Sequence, residues 1–189
     1  MGKKENTRSS ILAKSYQLFA ERGFKAVTMK DVCEATGLSR GGLYSHFGST
    51  AEIFAALLES LDKSEDYDFL DKIQQGKTAT EVLNEALDLL IEEMNAAGDS
   101  LSLAMYEYAS SDGKEGMADF AAAGEKKWSD LIEYGIRQGE FLPVNVPEIT
   151  ALLMYAYQGV RMWSRIVAIE PATNKAIIDN IRKQLLKES

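Results

Sequence analysis

The sequence predicts an all-α protein, and three observations carry that expectation. Apolar residues recur at helical spacing along almost the whole chain, they nowhere alternate as in a half-buried strand, and capping residues and glycines interrupt them at helix-length intervals. The 189 residues are 46% hydrophobic and 26% charged, enough apolar material to bury a core in a soluble chain. The longest uninterrupted apolar run, Ala151 to Tyr157, is seven residues; a bilayer span takes roughly 20. The N-terminal ten residues are charged and lack the apolar stretch of a signal peptide. A single cysteine, Cys33, cannot form an internal disulfide. These features lead one to expect a cytoplasmic protein with no membrane partner.

The first fifty residues are dense in start and stop signals. From about Arg8 to Arg22, Ile11, Leu12, Tyr16, Leu18 and Phe19 recur at helical spacing, and Gly23 then Phe24 supply a glycine stop and the apolar residue that often follows it. Thr28 is an N-cap for a second helix, with Asp31 in its first turn and Val27 and Val32 spaced as a hydrophobic staple. Gly37 ends that helix. The turn Gly37-Leu38-Ser39 leads into a third short helix, capped by Ser39 and closing at Phe47-Gly48, after which Ser49 and Glu52 form a capping box for a fourth. A longer helix followed by two short ones across a glycine turn is the helix-turn-helix layout, whose second short helix enters the major groove of DNA.

The remaining chain shows helical patterns over Ser49–Leu61, Thr80–Ala97, Ser100–Ala109, Met117–Gln138, Pro147–Ile169 and Thr173–Lys187, with a short helix near Tyr67–Ile73 inside the polar stretch Ser64–Lys77. Ser110–Gly116 reads as a flexible loop. The total is about nine or ten helices with no internal repeat.

Charge sharpens the functional reading. The net charge is −8, yet residues 1–48 carry eight basic side chains (Lys3, Lys4, Arg8, Lys14, Arg22, Lys25, Lys30, Arg40) against Glu5, Glu21, Asp31 and Glu34, a net of +4. The other 141 residues carry 13 basic and 25 acidic side chains, a net of −12. A basic head on an acidic body suits a protein that meets a polyanion at one end. One His and one Cys exclude a His/Cys metal cage within the chain. No phosphate-cradling glycine loop and no catalytic carboxylate spacing stands out, so neither an enzyme nor a cofactor is expected.

Three stretches together, Ala20-Glu21-Arg22-Gly23-Phe24, Val27-Thr28-Met29-Lys30-Asp31-Val32 and Gly37-Leu38-Ser39-Arg40-Gly41-Gly42-Leu43-Tyr44-Ser45-His46-Phe47, resemble the N-terminal domain of the tetracycline-repressor-like (TetR) family. The resemblance covers roughly residues 8–60. It implies a helix-turn-helix DNA-binding domain over 1–48 and a helical ligand-binding and dimerisation domain over 49–189. It also implies a homodimeric regulator, a repressor on this reading, that binds a palindromic operator in double-stranded DNA and is released by a small molecule.

On this layout Phe19, Val32, Ala35, Leu38, Leu43 and Phe47 face inward and fix the angle between helices. Ser39 and Arg40 open the recognition helix, where side chains reach phosphates or base edges, Arg40 being the natural bidentate reader of guanine. Gly41 matches a small residue usual in the family, while Gly42 departs from it and leaves base reading to Arg40, Tyr44 and Ser45. The resemblance makes Tyr44 and His46 phosphate donors, with Thr28 and Lys30 adding a hydroxyl and a charge. Gly48 stands where family members usually carry Lys, a loss that Lys3, Lys4 and Arg8 could offset.

In the body, Met94, Met105, Tyr106, Trp128, Tyr155, Gln158 and Met162 are the candidate ligand contacts, since Met and aromatic side chains suit an adaptable pocket. Glu107 and Arg161 are further polar candidates, and each of these residues serves equally well as core or surface. The last two helices are the candidate dimer interface through Met154, Trp163, Ile177, Ile181 and Leu185; the bland alternative is that the stripe packs within its own chain. A two-fold dimer would present recognition helices to half-sites about 34–36 Å apart or a multiple of that. A DNA-binding protein of the same fold without a ligand is the alternative function. A third reading, a helical enzyme or binding protein with a vestigial helix-turn-helix, is weakened by the scarcity of His and Cys.

Overall fold

The structure, a computed structural model, describes residues 3–63, 68–96, 98, 100–111 and 113–186. Among the described residues all regular structure is helical, in ten helices: α1 (Lys3–Arg22), α2 (Met29–Thr36), α3 (Arg40–Tyr44), α4 (Thr50–Asp62), α5 (Phe69–Gln74), α6 (Ala79–Asn95), α7 (Ser102–Ala109), α8 (Lys114–Arg137), α9 (Val146–Trp163) and α10 (Pro171–Leu185). The chain forms two compact units. One comprises residues 1–62 and 98–120, the other 63–97 and 121–189, with the division falling inside α8. The unit that holds the helix-turn-helix therefore also takes in α4, α7 and the start of α8, beyond the 1–48 segment expected to bind DNA.

In the first unit the core is built on Ile11, Phe19, Val32, Leu43, Ile53 and Phe54, each fully buried. Phe54 is its hub. Its ring meets Phe19 edge-on at 4.9 Å, Phe24 at 5.4 Å and Tyr108 of α7 at 4.9 Å. Such aromatic pairs add roughly 0.5–1.5 kcal/mol each beyond their area burial. The turn between α1 and α2 is held by α7: Glu107 Oε2 accepts from the Lys25 backbone N–H at 2.9 Å.

The second unit is centred on Val82, Leu83, Leu87 and Met94 of α6, packed with Leu131 and Ile132 of α8, Leu153 of α9 and Ile178 and Ile181 of α10. Phe69 of α5 meets Trp128 at 4.7 Å. Thr78 and Glu81 cap α6 reciprocally, and Glu140 reaches across to accept from the backbone N–H groups of Ala79 and Thr80 at 3.3 and 2.8 Å. Leu142 N–H donates to the Leu185 carbonyl at 2.8 Å, tying the α8–α9 connection to the end of α10.

Several boundaries differ from the sequence reading. α1 begins at Lys3, with Glu5 in its first turn opposing the positive helix end. The expected flexible loop Ser110–Gly116 is shorter, because α8 starts at Lys114, while the Ser110 and Ser111 hydroxyls donate to the carbonyls of Tyr106 and Tyr108 at 2.7 and 2.8 Å. α9 stops at Trp163, not Ile169: the Ser164 hydroxyl donates back to the Arg161 carbonyl at 3.1 Å, and the following backbone closes in tight turns until Pro171 opens α10. The short helix expected from Tyr67 is α5, capped by Asp68; Tyr67 itself lies outside the described residues, as does Lys187.

Gly23 and Gly37 both lie in the left-handed region, at φ of 79° and 73°, where a side chain costs about 1–2 kcal/mol. A Cβ on Gly37 would meet open space, whereas one on Gly23 would sit 2.6 Å from the Glu107 Oε2 that anchors Lys25 and 3.2 Å from Leu103. Gly37→Ala is expected to lose only the conformational term, and Gly23→Ala that term together with the Glu107 contact. Urea unfolding of both variants checks this; the reverse order would contradict it.

Candidate nucleic-acid interface

The helix-turn-helix is assembled from local signals. Thr28 sits in extended backbone (φ −113°, ψ 162°) and completes a capping box with Asp31. Gly37, left-handed, closes α2 by donating its N–H to the Cys33 carbonyl at 2.9 Å. Ser39 then caps α3, accepting from the Gly42 N–H at 3.1 Å. α3 is only five residues long and does not continue to Phe47 as a regular helix. Ser45 acts as its C-cap, and His46 and Phe47 both donate backbone N–H groups to the Leu43 carbonyl. Leu43 is fully buried and Phe47 is 2% exposed, so the two apolar residues of this segment plug it into the core. Of the other expected inward residues, Phe19 and Val32 are buried, and Ala35 and Leu38 are half-buried and packed against the same cluster.

Opposite those plugs lies an exposed face. Arg40, Gly41, Tyr44 and Ser45 are exposed and His46 is half-buried, while Tyr44 shows 53% of its surface. A Cβ on Gly41 would meet nothing, so this part of the face is open backbone. Ser45 is less available than the sequence suggested, because its hydroxyl donates to the Gly42 carbonyl at 2.7 Å. Ser39 Oγ is likewise engaged in capping. Lys30 is exposed, with Glu34 one helical turn on at 3.6 Å, a pairing worth little in solvent. Arg40 and Tyr44 remain the long polar side chains best placed to reach a ligand from α3.

Thr28 is tied up by its own helix. Its N–H donates to Asp31 Oδ2 at 2.8 Å, its hydroxyl donates to the same oxygen, and Asp31 N–H donates back to that hydroxyl. Arg22 closes the set, with Nη1 3.1 Å from Asp31 Oδ1. The single hydroxyl proton is thus committed to Asp31, and a phosphate would have to compete for it.

A family model for bacterial regulatory proteins of the tetR family matches residues 11–57, which span α2, the turn and α3. The chain is 33% identical over 147 residues to the HTH-type transcriptional regulator YfiR of Bacillus subtilis, covering 75% of this chain and 71% of that protein. It belongs to the TetR family. The chain is accordingly a DNA-binding transcriptional regulator. It is also 22% identical over 186 residues to the transcriptional repressor KstR2 of Rhodococcus jostii, covering 97% of this chain and 89% of that one. The fold is shared with a TetR-family regulator from Agrobacterium tumefaciens, at TM-score 0.78 and 15% identity over 97% of this chain and 100% of that one.

The candidate ligand residues of this TetR-family chain are divided between the two units. Met105 and Tyr106 lie on α7 in the first unit, and Tyr106 is 66% exposed. Met94 and Trp128 are buried in the second unit's core, Met162 is half-buried, Gln158 is exposed and Tyr155 is 77% exposed. Glu107, weighed as a ligand-orienting group, braces Lys25. Arg161, a polar candidate from the sequence, joins Tyr157 and Glu93 in a polar group on α6 and α9: the Tyr157 hydroxyl donates to Glu93, and Arg161 lies 3.5 Å from Glu93 with its guanidinium 4.9 Å from the Tyr157 ring centre. Tyr157 and Arg161 could have been paired by their one-turn spacing, but Glu93 could not.

Most of the candidate dimer residues pack within their own chain. Ile181 and Leu185 are each 1% exposed inside the second unit, and Ile177 and Met154 pack against the same core, so these residues cover their own chain. Of the five candidates, Trp163 is the most exposed, at 57%, and Ile166 and Val167 just after it are exposed at 68% and 44%. Among the described residues no helix is long and apolar enough to cross a membrane.

Asp31 generates a test. Hydrogen bonds from the Thr28 hydroxyl and backbone N–H, and then the charge of Arg22, hold its carboxyl below the ordinary 3.8. A depressed folded-state pKa gives stability that is complete above the unfolded value and lost as pH falls through the folded one. Asp31→Asn is therefore expected to lower Tm at neutral pH, with the gap to wild type closing as pH drops below about 3.8. Melting curves across pH check this, and a gap that persists at low pH would contradict it.

Proposed function

We propose that the protein is a homodimeric repressor, acting in the cytoplasm, that places α3 of each subunit in successive major grooves of a palindromic operator and is released by a small molecule held in the second unit. The carrying observation is the two-sided α3 segment: Leu43 and Phe47 buried beneath an open face of Arg40, Gly41 and Tyr44. Arg40, at the helix start, reads base edges, and Tyr44 and His46, with Lys30, Ser39, Ser45 and Thr28 at the margin, meet the backbone.

The exposed apolar residues along α9 and just after it support self-association. Leu152, Tyr155, Trp163, Ile166 and Val167 are all exposed, and apolar surface of this kind marks an interaction site. A second copy carrying the same surface gives a two-fold, self-complementary contact. The effector reading draws on Met94, Trp128 and Met154 of the second unit's apolar core, on Met162 of α9, and on the polar Glu93–Tyr157–Arg161 group, since a ligand site combines adaptable apolar contacts with a few polar ones. Among relatives, KstR2 of Rhodococcus jostii is named a repressor, and KstR2 of Mycobacterium tuberculosis, 21% identical with a TM-score of 0.66, is described as a ketosteroid transcriptional regulator.

Linkage supplies the test. An effector that releases DNA must itself bind more weakly to the DNA complex, by the same factor, typically 5–150-fold. Compounds that raise Tm are titrated against the protein alone and against its complex with a selected operator duplex. Weaker binding to the complex is expected, and equal affinities would overturn release by a small molecule while leaving DNA binding intact.

A further inference from the structure

Between Arg40 and Lys63 the sequence contains no lysine or arginine. Beyond Arg40, α3, the turn after it and the whole of α4 therefore bring no permanent cation to the distal end of the recognition segment. The fold brings one from elsewhere. The Arg8 guanidinium of α1 lies 4.1 Å above the centre of the Phe47 ring, and its Nη1 donates to the His46 carbonyl at 3.3 Å. Arg8 is exposed, yet these two contacts hold its planar head beside His46 at the far end of the face that begins with Arg40. A guanidinium has five N–H donors, and the bond to His46 uses one of them.

We propose that Arg8 is a phosphate-binding residue of the DNA interface, supplying at the C-terminal end of α3 the positive charge that α3 and α4 do not encode. Stacking on Phe47 orients the fork in advance, so less side-chain freedom is lost when a phosphate oxygen is bound. The inference rests on the reading that the Tyr44–His46 side of α3 faces DNA.

Gly48 offers an independent way to return a charge to the same end. It lies outside the positive-φ glycines, and the three atoms nearest a Cβ there all belong to Glu52, with Oε1 at 2.9 Å at the tip of an exposed side chain. A lysine fits after a small shift of that carboxylate. The test compares wild type, Arg8→Lys, Arg8→Gln and Arg8→Gln with Gly48→Lys on a labelled duplex that wild type enriches from a random-sequence pool, over a salt series, with Tm recorded for each.

Arg8→Gln is expected to flatten the slope of log K against log salt by about 0.9 per subunit, and to weaken the enriched and a scrambled duplex alike. Arg8→Lys retains the slope, and Gly48→Lys restores it in the Arg8→Gln protein. An unchanged slope in Arg8→Gln would overturn the proposal, as would a lost slope that neither lysine recovers, since Arg8 would then act through packing alone. Wild type that enriches no duplex would overturn the DNA-facing reading of α3 itself, an outcome distinct from either.

Discussion

The recognition element cannot stand without its neighbours, and the rest of the first unit is arranged around that constraint. α3 has five residues, two of them adjacent glycines. Isolated helices below about 12–15 residues are marginal in water, and each interior glycine costs roughly 1 kcal/mol relative to alanine. Its shape is therefore imposed from outside: by Ser39 at its start, by the burial of Leu43 and Phe47, and by Arg8 resting on the Phe47 ring. A segment held in this way can leave its exposed side almost bare, with open space at Gly41; on the proposed reading the DNA backbone approaches there.

A chain of local bonds holds the supports of α3 in turn. α2 is fixed at its N-terminus by Thr28, Asp31 and Arg22 and stopped by Gly37. The turn ahead of it is fixed by Glu107 from α7, and Phe54 of α4 joins the rings of α1, that turn and α7. On the proposed dimeric reading, two heads read a fixed half-site spacing only if each keeps its recognition face at one angle. The charge division reinforces this, because a basic first 48 residues and an acidic remainder favour approach of DNA to the former.

Much of this was legible in the sequence because the helix-turn-helix is written in short-range chemistry. Thr28, Gly37 and Ser39 act on residues within a few positions of themselves, so each cap and stop could be read directly. What escaped was long-range or ambiguous in kind. Glu107 bracing Lys25 spans 82 positions, and nothing local marks it. The stripe Ile177, Ile181 and Leu185 has the same periodicity whether its cover is α6 of its own chain or a second copy, so sequence pattern could not decide between them. The end of α9 was overextended because apolar residues continue through Ile166 and Val167 after the helix has stopped; their exposure was invisible until the turn at Ser164 was seen.

The central claim is that α3, presented twice by a dimer, reads DNA. The most direct measurement is selection by the full-length protein from a random-sequence duplex pool, followed by footprinting on the winning sequence. The expected result is an inverted repeat whose two protected half-sites are centred about one helical turn apart or a multiple of it. Failure to enrich any sequence, or a single asymmetric site with no repeated half, would contradict it.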